Sequence, residues 1–216
     1  MRRGNNLNAA DETAVSKQHL EVEVKFLVSD LAALHDRVLG IGAVLVKPRV
    51  FERNLRLDTA DSLLLRQRQL LRLRQDTAVT LTFKAEPTTP HATEAKVREE
   101  LEIQVSDLDT AAAIFGRLGF QPVQIYEKYR TTYQWQHVEI VLDELPFGSF
   151  IELEGPEQEI KKAASALKLV WDGRLLTNYL ALMAAVQQHY NLPFSDLTFE
   201  NFKNTTISLA DVIKQQ

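Results

Sequence analysis

The run Glu21-Val22-Glu23-Val24-Lys25 restricts the fold of this chain more than any other stretch. In an extended strand its three charged side chains leave one face, while Val22, Val24 and Phe26 leave the other. One such strand fits any solvated sheet, but the alternation recurs along the chain. Arg72 and Arg74 alternate with Leu71 and Leu73, and Thr80, Thr82 and Lys84 alternate with Leu81 and Phe83. Arg98, Glu100 and Glu102 oppose Leu101, Ile103 and Val105. Lys128 and Arg130 follow, then Asp143 between Ile140 and Leu142, then Glu152 and Glu154 against Ile151 and Leu153. Burying the apolar parity gives a sheet covered by helices outside and closed around a lumen in which acids and bases are mixed.

Composition bounds the remaining choices. The chain of 216 residues, 45% hydrophobic, can bury the core of one medium domain. A formal net charge of -4 argues against a nucleic-acid or membrane-surface protein, so its basic residues work locally. With no cysteine there is no disulfide framework, thiolate metal site or cysteine nucleophile. The sequence shows no apolar run of the roughly 20 residues that span a bilayer and no signal-peptide core near Met1. A soluble, cytoplasmic protein is expected, monomeric or homodimeric.

Punctuation divides the chain into a flexible tail (1–18), a main domain (19–190) and a C-terminal tail (191–216) packed on or near it, with Phe194, Leu197 and Phe199 as pins. Ser29-Asp30 caps a helix from Leu31 that Gly40 and Gly42 stop, and a strand runs from Val44 to Leu57. Strands at Leu71–Gln75 and Ala78–Lys84 precede a proline-containing loop, Glu86–Ala95, of the kind that closes over a site. Ser106-Asp107 caps a second helix ending at Gly119, and another long strand spans Gln121–Trp135, a weak duplication of the first half. Strands at His137–Glu144 and Ser149–Gly155, a helix opened by Pro156 and a helix over Leu175–Tyr190 follow.

The lumen-facing set suits a condensed phosphate with metal ions. Cleaving a phosphoanhydride requires neutralising its charges while an attacking oxygen is aligned. Glu21, Glu23, Asp143, Glu152 and Glu154 are candidate oxygen ligands for hard divalent cations, and Lys25, Arg72, Arg74, Lys84, Arg98, Lys128 and Arg130 are candidate phosphate contacts. Four strand steps from Glu21 to Lys25 span roughly 13 Å, the reach of a stretched triphosphate with its metals. There is no P-loop and no Gly-x-Ser-x-Gly elbow. The five histidines lack zinc-site spacing, and Trp135 and Trp171 read as core.

Glu21-x-Glu23-x-Lys25, Leu71-Arg72-Leu73-Arg74, Leu81-Thr82-Phe83-Lys84, Arg98-x-Glu100-x-Glu102, Lys128-x-Arg130 and Phe150-Ile151-Glu152-Leu153-Glu154, in that order, resemble the CYTH family, the triphosphate tunnel metalloenzymes. The resemblance covers about His19 to Tyr190. It implies an α+β fold, an eight-stranded antiparallel β-barrel tunnel with a charged lumen and helices packed outside. It also implies two divalent ions, Mg²⁺ or Mn²⁺, held by the five acids above, and phosphate held by the seven bases. Lys25, Lys84, Glu100 and Glu102 form the implied catalytic set; for Glu100 and Glu102, positioning of metal or water competes with pairing to arginines inside the tunnel. The strand ending Asp58-Thr59 carries Arg56 where the family often has an aromatic, leaving the roles of Arg53 and Arg56 open. The expected function is metal-dependent hydrolysis of inorganic tripolyphosphate or another organic or nucleoside triphosphate. The alternatives are a class IV adenylate cyclase and a non-catalytic polyphosphate- or nucleotide-binding module.

Overall fold

The computed structural model describes residues 20–89 and 91–213; the expected N-terminal tail lies outside them. Strands β1 (Leu20–Val28), β2 (Val44–Asp58), β3 (Leu70–Gln75), β4 (Val79–Ala85), β5 (Lys96–Val105), β6 (Gln121–Trp135), β7 (Val138–Leu145) and β8 (Gly148–Glu154) form a closed barrel in the order β1-β5-β4-β3-β2-β6-β7-β8. Every neighbouring pair is antiparallel. Closure leaves no full-length open edge and sends alternate side chains inward.

Outside, the apolar parity is buried beneath helices. Val24, Phe26, Ile140, Leu142, Ile151 and Leu153 pack against Leu34 and Val38 of α1 (Leu31–Gly40) and against Ile160 and Ala163 of α4 (Glu157–Ala166). Leu55, Leu57, Leu71 and Leu73 pack against α2 (Leu63–Arg66) and α3 (Leu108–Arg117). Asp30 and Asp107 cap α1 and α3, each accepting a backbone N–H three residues on. Gly42 and Gly119, both at positive φ, end those turns, and each is followed by a 15-residue strand; the two long strands pair with each other. The helical cover is incomplete, because Leu101 and Ile103 on the outer face of β5 stay exposed.

Two expectations change at the C-terminal end. The helix expected from Leu175 begins at Tyr179, as α5 (Tyr179–Tyr190), because Asn178 caps it by accepting Ala181 N–H. Leu175 instead exchanges backbone hydrogen bonds with Lys25, on the edge of β1 that β5 leaves free after four paired residues. The segment after Pro193, for which the sequence suggested only a tail packed on or near the domain, contains α6 (Phe199–Phe202) and α7 (Leu209–Ile213). Leu197 bridges to Tyr126, and Phe202, Leu209 and Val212 share an apolar cluster with Leu182, Met183 and Val186 of α5.

Candidate active site

The inward parity gathers the charged side chains that the sequence marks. Lys25 is buried between Glu23 at 3.5 Å and Glu152 at 3.4 Å. Burial works against its charge, but the two carboxylates outweigh it and raise its pKa. Arg130 meets Asp143 through two parallel bonds, Nε to Oδ1 at 2.7 Å and Nη2 to Oδ2 at 2.6 Å, and also reaches Glu152 at 2.6 Å. Lys128 lies 2.9 Å from Asp143, which is wholly buried. Lys84 bonds both oxygens of Glu21 and sits 3.0 Å from Glu100. Arg74 and Thr82 bond Glu102 at 3.2 and 2.9 Å, and Arg72 bonds Thr82 and the Tyr126 hydroxyl, each at 3.1 Å. Thus Glu100 and Glu102 are paired with tunnel cations in this structure.

The expected metal ligands are also held by cations, with one exception. Lys25 and Lys96 flank Glu23; burial alone would raise its pKa, but the two ammonium groups pull it down to about 2. Glu152 is likewise held well below its ordinary value, burial being overcome by Lys25, Arg130 and Lys128. Glu154 makes no ion pair among the described residues. Burial, then repulsion from Glu21 and Glu139, push its pKa up to about 8. Glu139 faces Glu154 across β7 and β8, and burial raises its pKa too. Among the described residues no three acidic or histidine side chains stand as a formed metal cluster. The donor chemistry nevertheless fits a hard divalent cation: the unpaired carboxyls of Glu139 and Glu154 crowd together beside Glu21, where such a cation would relieve the repulsion.

One end of the lumen turns aromatic. Tyr126 and Phe150 occupy the inward parity there, and α5 places Tyr179 against Phe150 with ring centroids 4.9 Å apart. The Tyr179 hydroxyl donates to Asp143 at 3.0 Å, and the ammonium groups of Lys25 and Lys128 lie 5.3 and 5.4 Å from its ring centroid. Burial and the Asp143 and Glu152 carboxylates keep this hydroxyl protonated.

Not every expected residue joins the cluster. Arg98 sits at the rim, donating to the Arg68 carbonyl at 3.2 Å and lying 4.0 Å from Glu86. Arg56 bonds Asp58 and Gln124. Trp135 donates to the Ile41 carbonyl, and Trp171 bonds Glu94 and packs on Phe26, both outside the lumen. Sequence reasoning passed over Glu52, Asn54, Lys96 and Glu139, which share the inward parity of their strands and were legible by that signal. Tyr179 carries no local signal, since only the tertiary fold brings α5 to the barrel end.

Comparison with known proteins agrees with this geometry. The CYTH domain family matches residues 19–177. The chain is 26% identical over 152 residues to a Methanocaldococcus jannaschii protein named "Putative adenylate cyclase", covering 69% of this chain and 84% of the relative. The fold is similar to a Vibrio parahaemolyticus protein titled as a "putative adenylate cyclase", at TM-score 0.68 and 21% identity, covering 77% of this chain and 98% of the other. It is also similar to a Hippeastrum "putative adenylyl cyclase" whose title reports a dominant triphosphatase activity, at TM-score 0.56 and 19% identity over 77% and 96% of the two chains. With the family match spanning most of the chain and the barrel formed as that fold requires, the protein belongs to the CYTH domain family.

Proposed function

We propose that this CYTH enzyme hydrolyses the phosphoanhydride of a triphosphate, inorganic tripolyphosphate or an organic or nucleoside triphosphate, inside the barrel and with two divalent ions, Mg²⁺ or Mn²⁺. The observation that carries the proposal is the mutually compensated charge of the lumen, buried at Glu23, Lys25, Glu52, Arg72, Lys128, Asp143 and Glu152 and open to solvent at Glu102. Lys25, Arg72, Arg74, Lys84, Lys96, Lys128 and Arg130 are matched by Glu21, Glu23, Glu52, Glu100, Glu102, Asp143 and Glu152, with Glu139 and Glu154 in addition. A lumen with no excess of positive charge cannot by itself accept a chain bearing about four negative charges. Divalent cations entering with the substrate restore the balance.

Glu21, Glu23, Asp143, Glu152 and Glu154 are the residues proposed to hold those ions, with Glu139 beside them. Such ions supply phosphate charge neutralisation and an activated water. The chain's own part is orientation. Arg72, Arg74, Lys84, Lys128 and Arg130 exchange carboxylate partners for phosphate oxygens, with Lys25 held rigidly between Glu23 and Glu152. Arg98 meets the substrate at the rim. Tyr179 closes one end against water, so that charge developing on the leaving oxygens forms among fixed cations. Glu100 and Glu102, released from their cations, hold polar groups around the attacking water.

A second reading, cyclisation of ATP by its ribose 3′-hydroxyl, is favoured by the name of the 26% identical relative and uses the same lining. The test is incubation of the purified chain with Mg²⁺ or Mn²⁺ and either tripolyphosphate or ATP, measuring orthophosphate, pyrophosphate and cyclic AMP. Metal-dependent orthophosphate from tripolyphosphate, lost in Glu23→Gln, is the expected result. Cyclic AMP with pyrophosphate establishes the second reading, and saturable binding without product leaves only a binding module.

A further inference from the structure

Two lysines converge on one oxygen of Glu23. Lys25 Nζ lies 3.5 Å from Oε1, and Lys96 Nζ donates to the same atom at 2.5 Å. Their surroundings differ. Lys25 has a second carboxylate, Glu152 at 3.4 Å, and its side chain is 2% exposed, with the Tyr179 ring beside it and Leu175 bonded to its backbone. It has no room to leave. Lys96 has Glu23 as its single ion-pair partner among the described residues, and 17% of its side chain is exposed. Lys84, the corresponding cation on Glu21, still has Glu100 at 3.0 Å when Glu21 turns to another charge.

Local structure gives Lys96 an alternative place. It opens β5 and stands directly opposite Glu23 in the β1–β5 register. The residues just before it are tied to the outside of the barrel, Glu94 by Lys161 and Trp171, and Thr93 by Glu157. The backbone at Lys96 is therefore fixed. Its side chain, however, lines a cavity of about 570 Å³ together with Glu86, Thr93, Arg98, Thr177 and Asn178. A lysine on its flexible four-carbon stem can turn from Glu23 into that polar space, towards Glu86, without any movement of the strand.

We infer that Lys96 occupies the cation position at Glu23 in the metal-free protein and gives it up to the divalent ion, so that this lysine sets the metal affinity of the lumen. It is a positioning residue, acting through Glu23. The inference rests on the reading of Glu23 as a metal ligand. While the Lys96 ammonium sits on Oε1, that oxygen is closed to a second cation, and the apparent metal affinity is the intrinsic affinity scaled by the fraction of protein in which Lys96 has turned away. Lys25 stays between Glu23 and Glu152 in both states.

Calorimetric titration of the metal-free protein with Mn²⁺, in the absence of substrate, tests this on wild type, Lys96→Met, Lys96→Arg, Arg98→Met and Glu23→Gln. Lys96→Met is expected to bind Mn²⁺ at least about 10-fold more tightly than wild type. Lys96→Arg keeps a cation on Glu23, and Arg98→Met removes one charge from the same face of β5 at a residue bonded to the Arg68 carbonyl. Both are expected to stay within about threefold of wild type. In chelator Lys96→Met is expected to melt below wild type, because Glu23 loses a partner, and to gain more from added Mn²⁺. A merely structural lysine would leave the affinity unchanged or lower it. Unchanged or weaker binding in Lys96→Met, or equal tightening in Arg98→Met, would therefore overturn the displacement. Undiminished Mn²⁺ binding in Glu23→Gln removes the metal reading of Glu23 and this role with it, whereas binding lost in Glu23→Gln and unaltered in Lys96→Met removes this role alone.

Discussion

Glu154 shows how a single side chain reports the state of the lumen. Its carboxyl is pushed from an ordinary 4.5 to about 8, by burial first and then by Glu21 and Glu139. Below the ordinary value both folded and unfolded chains carry the proton, so the group contributes no pH dependence there. Between that value and about 8 the folded protein keeps a proton that the unfolded chain has lost, and stability falls as pH rises across the window. Glu21 and Glu139, also raised, act with the same sign, whereas Glu23, drawn down to about 2, acts only at more acidic pH. In chelator-containing buffer the thermal midpoint is therefore expected to drop from pH 5 towards pH 8. Glu154→Gln is expected to melt at least about 3 °C above wild type near pH 8 and close to it near pH 5. Equal melting of the two proteins at both pH values would show that Glu154 is not the uncompensated carboxyl.

At the scale of elements, strands were the legible part because a period of two leaves a mark in any six residues. Arg72 and Arg74, or Glu152 and Glu154, announce an inward face wherever leucines and isoleucines announce an outward one. Capping aspartates and glycine stops likewise placed the helices that Asp30 and Asp107 open, and with them the starts of both long strands. Neither signal gave access to Leu175, whose pairing with Lys25 depends on where β5 departs from β1, or to the start of α5. Partners inside the barrel were equally hidden, since parity says which way a side chain points and not which strand faces it. Gly155, just past β8, joins three elements: its N–H bonds the Val22 carbonyl, its φ is +152°, and a Cβ there would lie 2.5 Å from the His137 carbonyl oxygen. Gly155→Ala therefore pushes β8 and Glu154 away from β7. The expected loss is about 2 kcal/mol, read in a thermal melt as roughly 4–8 °C. A midpoint within 1 °C of wild type would mean that this junction yields freely.

For the whole molecule, closure of the sheet turns scattered charges into one chemical object. Eight strands each contribute a few inward residues, and only the ring brings Lys84 of β4 to Glu21 of β1, or Arg130 of β6 to Glu152 of β8. Among the described residues no helix is long and apolar enough to cross a membrane. The C-terminal segments gather around the aromatic end, where Tyr179 stands between the lumen and an apolar cluster built from α5, α6 and α7. The physical consequence is a lumen whose acids match its bases, which on the proposed function is expected to admit a polyanion only with its cations. Calorimetric titration of the metal-free protein with a non-hydrolysable tripolyphosphate analogue, with Mg²⁺ present or chelated, measures this directly. The expected result is saturable one-to-one binding with Mg²⁺, weakened at least about 100-fold by the chelator, a difference of about 2.7 kcal/mol. Binding of equal strength with and without the divalent ion would contradict a lumen whose acids already neutralise its bases.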